Sequence, residues 1–293
     1  MQPHTVYLDM ANWIALAEGH VDSTPFEKAI ADTYIVPVLG LPHLLELASN
    51  ANTGGRKLVA SYMDSVDQLA SIKWIKHYWD VIRREAISCF KEMFGGNWEP
   101  PVTFFRSFHE TMPDADRATI MTVGEGMPRS ISEMVDILVD LNEFREYRTD
   151  CLDYPDLRQR IVSIRSARGA AKRFTDIELR TWLAELLPER VDMSFGPVEI
   201  QDDMRKKFVE SVDISKCPAF RANWAFHEGS NLDHATATQS DIPDLWHLTG
   251  VAYCDLAFAD KRTIEALRKG NYDKMPTGNS GFKGWAQSLG PVG

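Results

Sequence analysis

Short apolar runs and amphipathic stretches alternate at the start of the chain. The run Thr5–Asp9 is rich in β-branched and aromatic residues, ends in an acid and predicts a buried strand. Met10–Glu18 has a helical pattern. Tyr34–Leu39 predicts a second strand, in which Pro37 favours an edge or irregular position. Pro42 is well placed in the first turn of the next helix. This alternation predicts an α/β fold with a parallel sheet flanked by helices.

The middle of the chain has a different pattern, in which apolar positions recur with the helical period, as in the stretch 81–90. We therefore predict that residues 56–229 form a mainly helical insertion or second domain. Residues 1–55 and 230–293 would then form one discontinuous core, because strand character returns only near the end of the chain.

The last part of the chain repeats the strand and helix alternation. Asp241–Tyr253 predicts a helix, Asp255–Asp260 predicts a short apolar strand that ends in an acid, and Arg262–Lys269 predicts a last helix. The tail from Asn279 to Gly293 contains four glycines and is predicted to be irregular.

Composition and charge narrow the class of protein. The 293 residues are 44% hydrophobic, which is ordinary for a globular protein. No apolar run approaches the roughly 18 residues needed to cross a bilayer. The four scattered cysteines and the lack of a signal-peptide pattern indicate a cytoplasmic protein without a membrane partner. The net charge of −10 argues against non-specific coating of nucleic acid but leaves room for an enzyme that binds it locally.

Four carboxylates fall where parallel strands end or helices begin. Asp9 closes the first strand and Asp260 closes the last, and ligands of open parallel sheets bind beyond such strand ends. Glu46 lies on the helix after the second strand, and Asp244 lies in the first turn of the helix before the last strand. Four converging carboxylates repel one another unless hard cations such as Mg²⁺ or Mn²⁺ neutralise them. Two such ions, roughly 4 Å apart, activate water and stabilise the leaving oxygen of a phosphodiester.

Around these residues the sequence resembles the PIN-domain nuclease family. The resemblance lies in the segments Val6–Asp9, Leu44–Leu47, Asp244–Leu248 and Phe258–Asp260. It implies a three-layer PIN-like fold, a divalent metal and, most often, ribonuclease activity. By match of position, it also implies that the four acids named above bind the metal and are catalytic. Where the family usually has a small polar residue two places after the first acid, this chain has Ala11.

Each acid also has a structural explanation. Asp9 is a favoured type of helix N-cap, and Glu46 gains from the helix dipole in any case. Asp260 has the character of a turn residue. Asp241 and Asp244 stand at one helix start, and we assign Asp241 to the cap and Asp244 to the metal. Because all four placements occur together in the right order, we favour the metal site.

The histidines near these helices are interpreted as structural. His247 follows Asp244 by three residues and is assigned no chemical role. Arg221 and His227 fit the loose Arg–His spacing of HEPN ribonucleases, a pattern that chance often produces. The stretch 227–241 has possible zinc ligands but lacks a two-histidine helix or paired cysteines, so we interpret it as a polar loop.

A basic stripe is predicted in the helical middle. Its members recur near one face of a helix, and they are Arg158, Arg165, Arg168 and Lys172. Such a stripe is usually a solvated surface, but in an acidic protein it is also the best candidate for contacting phosphates.

The predicted function is a divalent-metal-dependent nuclease that cleaves RNA or DNA, with RNA favoured by the resemblance alone. An inactive PIN-like interaction scaffold and a metallophosphatase on a related sheet are the alternatives. An uncontrolled nuclease is harmful, so we also expect a regulatory protein partner.

Overall fold

The computed structural model describes residues 3–102, 104–111, 124, 126–141, 173–233 and 241–289. Its strands are β1 (His4–Leu8), β2 (Ile35–Gly40), β3 (Lys73–Ile75), β4 (Arg190–Met193), β5 (Gly196–Glu199), β6 (Leu256–Ala259) and β7 (Thr277–Gly278). Its helices are α1 (Met10–Ala17), α2 (Thr24–Ala31), α3 (Leu41–Ser49), α4 (Thr53–Leu69), α5 (Tyr78–Met93), α6 (Ile131–Asp140), α7 (Asp176–Glu185), α8 (Asp202–Ser211), α9 (Pro218–Asp233), α10 (Asp241–Tyr253), α11 (Lys261–Lys269) and α12 (Asn279–Ser288). Short 3-10 turns occur at Phe108–Thr111 and Ile214–Lys216.

The central sheet has five parallel strands in the order β3-β2-β1-β6-β7. The predicted parallel sheet flanked by helices is therefore confirmed. β1 lies at its centre, where Val6 pairs with Pro37 on one side and with Leu256 on the other. Strands from the beginning and the end of the chain are thus neighbours. Because all five strands run the same way, their carboxyl ends meet at one edge of the sheet.

Both faces of the sheet are covered. In β1, Val6 and Leu8 belong to a buried cluster that contains Trp13 from α1. Tyr7 points to the opposite face and belongs to a second buried cluster, which contains Leu248 from α10. This alternation follows from the two-residue period of a strand. The arrangement is a three-layer α/β fold, with the sheet between two sets of helices.

The helical middle contributes to both the sheet and its support. β3, at Lys73–Ile75, pairs with β2, so a strand of the sheet comes from the region 56–229 that was predicted to be mainly helical. α6 from the same region packs on α3 and α4. A separate cluster of buried apolar residues joins α5, α7, α8 and α9, and the antiparallel hairpin β4-β5 packs into it. Among the described residues, none of the helices is long and apolar enough to span a bilayer.

The expectations for Pro37 and for the tail have different outcomes. β2 as a whole is an interior strand, but β3 joins it only at Val38, so Pro37 itself lies at a local edge of the sheet, as expected. The tail is not irregular, because α12 covers most of it. Phe282 on α12 packs against Phe258 with 5.2 Å between ring centroids, and this tertiary contact overrides the low helix propensity of the neighbouring glycines.

Two glycines allow the backbones of α9 and α11 to come into direct contact. A Cβ atom at Gly229 would lie 1.8 Å from the carbonyl oxygen of Ala266, and one at Gly270 would lie 1.9 Å from that of Ala225. A larger residue at either position would force the helices apart. Since α11 begins directly after Asp260, this close packing fixes the position of that acid.

Candidate metal centre

Polar side chains follow three neighbouring strands at the edge where the strands end. Asp9 follows β1, Asp260 follows β6 and Asn279 follows β7. Glu46 comes from α3, which begins directly after β2, and Asp244 comes from the first turns of α10. The structure therefore brings the four predicted acids to the same edge of the sheet. Their mutual influence is evident in Asp244, whose pKa is raised by burial and further by the charges of the other three.

Asp9 holds the N-cap position of α1, but its carboxylate makes no capping hydrogen bond. Instead, Asn279 Nδ2 donates to Asp9 Oδ2 at 2.7 Å. Asn279 Oδ1 in turn accepts a hydrogen bond from Asn12 Nδ2 at 2.7 Å. The capping explanation for Asp9 thus fails, because its side chain points into the site and is oriented there by an amide pair. Burial raises the pKa of Asp9, and Glu46 and Asp260 add to the increase against opposing effects of His247 and Asn279.

His247 links the second acid to the central strand. Its Nε2 atom lies 3.1 Å from Glu46 Oε1, and its Nδ1 atom lies 2.7 Å from the hydroxyl oxygen of Tyr7. His247 is buried and hydrogen-bonded, as a structural histidine would be, since only 8% of it is exposed, but its place beside the acids does not agree with the assignment of no chemical role. The sequence did not indicate its neighbours, however. One ligand atom from each of Asp9, Glu46 and His247 lies within 4.8 Å of the other two, so the three are positioned to hold a metal ion.

The charge of His247 follows from the same neighbours. Burial alone would lower its pKa, but the carboxylates of Glu46, Asp9 and Asp244 outweigh burial and raise it to about 9. At neutral pH the metal-free site therefore carries an imidazolium among its carboxylates, which partly offsets their repulsion.

A second histidine, His43, fixes α3 relative to β1. Its Nδ1 atom accepts a hydrogen bond from the backbone N–H of Gly40 at 3.1 Å, so Nε2 carries the proton and donates to the carbonyl oxygen of Leu8 at 2.7 Å. Complete burial lowers the pKa of His43 to about 4, which keeps it neutral. Because Leu8 precedes Asp9, these bonds set the position of Glu46 relative to Asp9.

Asp244 and Asp260 lie outside the group of three but interact with it. Burial and the charge of Asp260 raise the pKa of Asp244 to about 7. Arg262 Nη1 lies 3.8 Å from Asp244 Oδ2, which is long for an ion pair. Asp260 caps α11, since Oδ1 accepts from the backbone N–H of Thr263 at 2.8 Å and Oδ2 accepts from the Thr263 hydroxyl at 2.9 Å. The structural explanation of Asp260 therefore holds alongside its proximity to the other acids.

Several other sequence candidates are placed differently. The stripe of Arg158, Arg165, Arg168 and Lys172 lies outside the described residues. Of the Arg–His pair, Arg221 forms an ion pair with Asp273 at 3.2 Å, and His227 is 7% exposed. Asp241, which the sequence analysis assigned to the helix cap, is the first residue of α10.

Comparison of the chain with protein-family models, curated protein sequences and solved structures finds no match.

Proposed function

We propose that the protein is a metal-dependent nuclease of the PIN-like type that hydrolyses phosphodiester bonds with Mg²⁺ or Mn²⁺. The observation that carries the proposal is the group of Asp9, Glu46 and His247, whose ligand atoms lie within 4.8 Å of one another at the carboxyl edge of a parallel sheet. Two further acids, Asp244 and Asp260, lie beside this group, and the charge of Asp260 adds to burial in raising the pKa of Asp244.

The charge distribution supports a cation as the missing partner. Burial and mutual repulsion raise the pKa of Asp9 and Asp244, so their ionised forms are strained in the metal-free protein. A divalent ion relieves that strain, and when bound it lowers the pKa of a bound water and stabilises the leaving oxygen of a phosphodiester. An interaction scaffold has no use for buried acids that repel one another, which is why we favour an enzyme.

The surrounding residues have positioning roles in this proposal. Asn12 and Asn279 hold the carboxylate of Asp9, and His43 holds the helix that carries Glu46. Arg262 is 39% exposed beside Asp244 and supplies a positive charge for an incoming phosphate. RNA is favoured over DNA by the resemblance to PIN-domain nucleases alone. Contact of nucleic acid with the predicted basic stripe, and regulation by a protein partner in the cytoplasm, stay predictions from the sequence.

The test is cleavage of single-stranded RNA, single-stranded DNA, duplex DNA and a small phosphomonoester by the full chain with Mg²⁺ or Mn²⁺. We expect phosphodiester cleavage that excess EDTA abolishes. Asp9→Asn should lower the rate by orders of magnitude, because the charge that holds the ion is lost. It should leave metal-free stability unchanged or slightly higher, since a repelling charge is removed.

Asp255→Asn is the matched control. Asp255 precedes β6 at the opposite edge of the sheet and accepts hydrogen bonds from Thr5, so this variant should keep full activity. Cleavage that persists in EDTA, or full activity of Asp9→Asn, would overturn the proposal. Hydrolysis of the phosphomonoester alone would favour the metallophosphatase instead.

A further inference from the structure

We propose that His247 is a direct metal ligand through Nε2, and that the centre therefore prefers transition-metal ions over Mg²⁺. The inference rests on the metal site of the proposed function but not on its substrate. It differs from an all-carboxylate centre, in which His247 would only orient Glu46 by a hydrogen bond.

The distances around Nε2 fit coordination. Ligand atoms about 2.1 Å from an octahedral ion and at right angles to each other are roughly 3.0 Å apart. His247 Nε2 and Glu46 Oε1 are 3.1 Å apart. An ion can therefore replace the proton between these atoms with little movement of either side chain. A carboxylate oxygen of Asp9 lies within 4.8 Å of both atoms, so a small movement of its side chain would complete a set of one nitrogen and two oxygen donors.

The other ring nitrogen has the partner that a metal-bound histidine requires. Ligating histidines almost always donate their second N–H to a fixed acceptor, which sets the ring orientation. Here Nδ1 lies 2.7 Å from the hydroxyl of Tyr7, which is 1% exposed. Gly250 makes room for this tyrosine, because a Cβ atom there would lie 2.1 Å from Tyr7 Cδ2. The direction of the His247 ring is thus fixed before any ion binds.

The ligand atoms of the centre determine which metal ion it prefers. Mg²⁺ favours oxygen ligands and retains several waters, whereas imidazole nitrogen suits first-row transition metals. Two carboxylates and one buried imidazole form a mixed set that Mg²⁺ uses poorly. Mn²⁺ accepts oxygen donors as readily as Mg²⁺ does and is also paramagnetic, so it is the probe that reveals whether the nitrogen is bound.

The test is pulsed electron paramagnetic resonance of the full chain loaded with Mn²⁺ in the absence of nucleic acid. We expect nitrogen modulation from a coordinated imidazole, lost in His247→Gln and retained in the surface control His20→Gln, since His20 lies in the exposed turn after α1. Titration calorimetry should show that the wild-type protein binds Mn²⁺ more tightly than Mg²⁺, and that His247→Gln loses this preference.

Tyr7→Phe is a second variant, which keeps the inference testable if His247→Gln fails to fold. It removes only the hydroxyl, and it should keep the nitrogen modulation while weakening Mn²⁺ binding by about 10–100-fold. Mn²⁺ bound to the wild-type protein without nitrogen modulation would overturn the inference and leave the nuclease proposal intact. Nitrogen modulation in a protein that cleaves no nucleic acid would support the inference and overturn the nuclease proposal. Absence of Mn²⁺ binding would also overturn the inference, and the EDTA assay would then decide the nuclease proposal separately.

Discussion

Glu85 and Asp244 carry the same functional group in two regions that use it in opposite ways. Glu85, on α5, is fully buried, and its carboxylate accepts hydrogen bonds from the backbone N–H groups of Ala219 and Phe220 at 2.8 and 2.9 Å. The hydroxyl of Tyr253 donates to it at 2.5 Å. Ala219 and Phe220 are in the first turn of α9, so the carboxylate caps a helix whose dipole favours a negative charge.

Asp244 has other acids for neighbours, with Arg262 no closer than 3.8 Å. Burial raises the pKa of Glu85 to about 7 despite its three donors, and burial together with Asp260 raises that of Asp244 to about 7. A raised pKa therefore does not distinguish the two roles. The neighbouring groups do distinguish them, because a carboxylate with donors on both oxygens is satisfied within the fold, whereas facing carboxylates repel one another unless a cation offsets their charge.

The largest expected difference is in stability. Glu85→Ala leaves two buried N–H groups at the start of α9 without an acceptor, and it should lower the free energy of unfolding by about 3 kcal/mol or more. Asp244→Asn should leave the metal-free protein equally stable or slightly more stable, because it relieves repulsion. Urea unfolding in EDTA measures both values. Equal destabilisation by the two variants would mean that Asp244 is structural too.

In the metal-free protein the two carboxyl groups should give stability the same dependence on pH. In both groups the folded state binds the proton more tightly than the unfolded state, whose pKa is 4.5 for Glu85 and 3.8 for Asp244. Each contribution is complete below the unfolded pKa and is lost as the pH rises through the folded pKa of about 7. Between these values each group should lower the free energy of unfolding by about 1.4 kcal/mol per pH unit.

A divalent ion should affect only one of these contributions. Because a divalent ion held beside Asp244 favours the ionised form of this acid, Mn²⁺ should stabilise the protein more as the pH rises towards 7. Glu85 is outside the site and should titrate as before. Unfolding curves of wild type, Asp244→Asn and Glu85→Gln with and without Mn²⁺ separate the two. A wild-type pH slope that Mn²⁺ leaves unchanged would place Asp244 away from the ion.

The smallest changes in stability are expected when alanine replaces either of two glycines that differ in their surroundings. Gly250→Ala should cost about 1–3 kcal/mol, because its Cβ atom would displace Tyr7 from His247. Gly284, on α12, has open space where a Cβ atom would be added, and Gly284→Ala should raise stability by about 0.5–1 kcal/mol. Only Gly250→Ala should also weaken Mn²⁺ binding. Thermal unfolding and calorimetry on both variants check this, and a similar metal affinity in the two would show that Tyr7 does not support the centre.

The sequence predicted the parts of the site that depend on local pattern. The sequence shows a short apolar strand followed by an acid at Asp9 and at Asp260, because the residue pattern of a strand and its end is a local feature. β3 was missed because three residues carry too little periodicity to distinguish a strand from a loop. Asn279 was missed because glycines on either side of Phe282 lower helix propensity, and only packing on Phe258 makes that segment helical.

Roles that depend on distant partners could not be predicted from local pattern. His247 is three residues from Asp244 on one helix, but its significance comes from Glu46 and Tyr7, which lie more than two hundred positions away. Glu85 resembles any helix-surface acid until α9 is placed against it. Asp260 shows the remaining ambiguity, since it is both a cap and a neighbour of the other acids.

The hydrogen bond between Asp9 and Asn279 joins residues 270 positions apart, and this separation determines when the centre can form during synthesis. At about 5–20 residues per second, the ribosome completes Asn279 on the order of tens of seconds after Asp9. For most of that interval β6 has not been synthesised, so β1 presents an unpaired edge, which is the kind of surface that chaperones shield. A nascent chain therefore lacks the assembled candidate centre, and translation that stops before α12 releases a protein without the amide that orients Asp9.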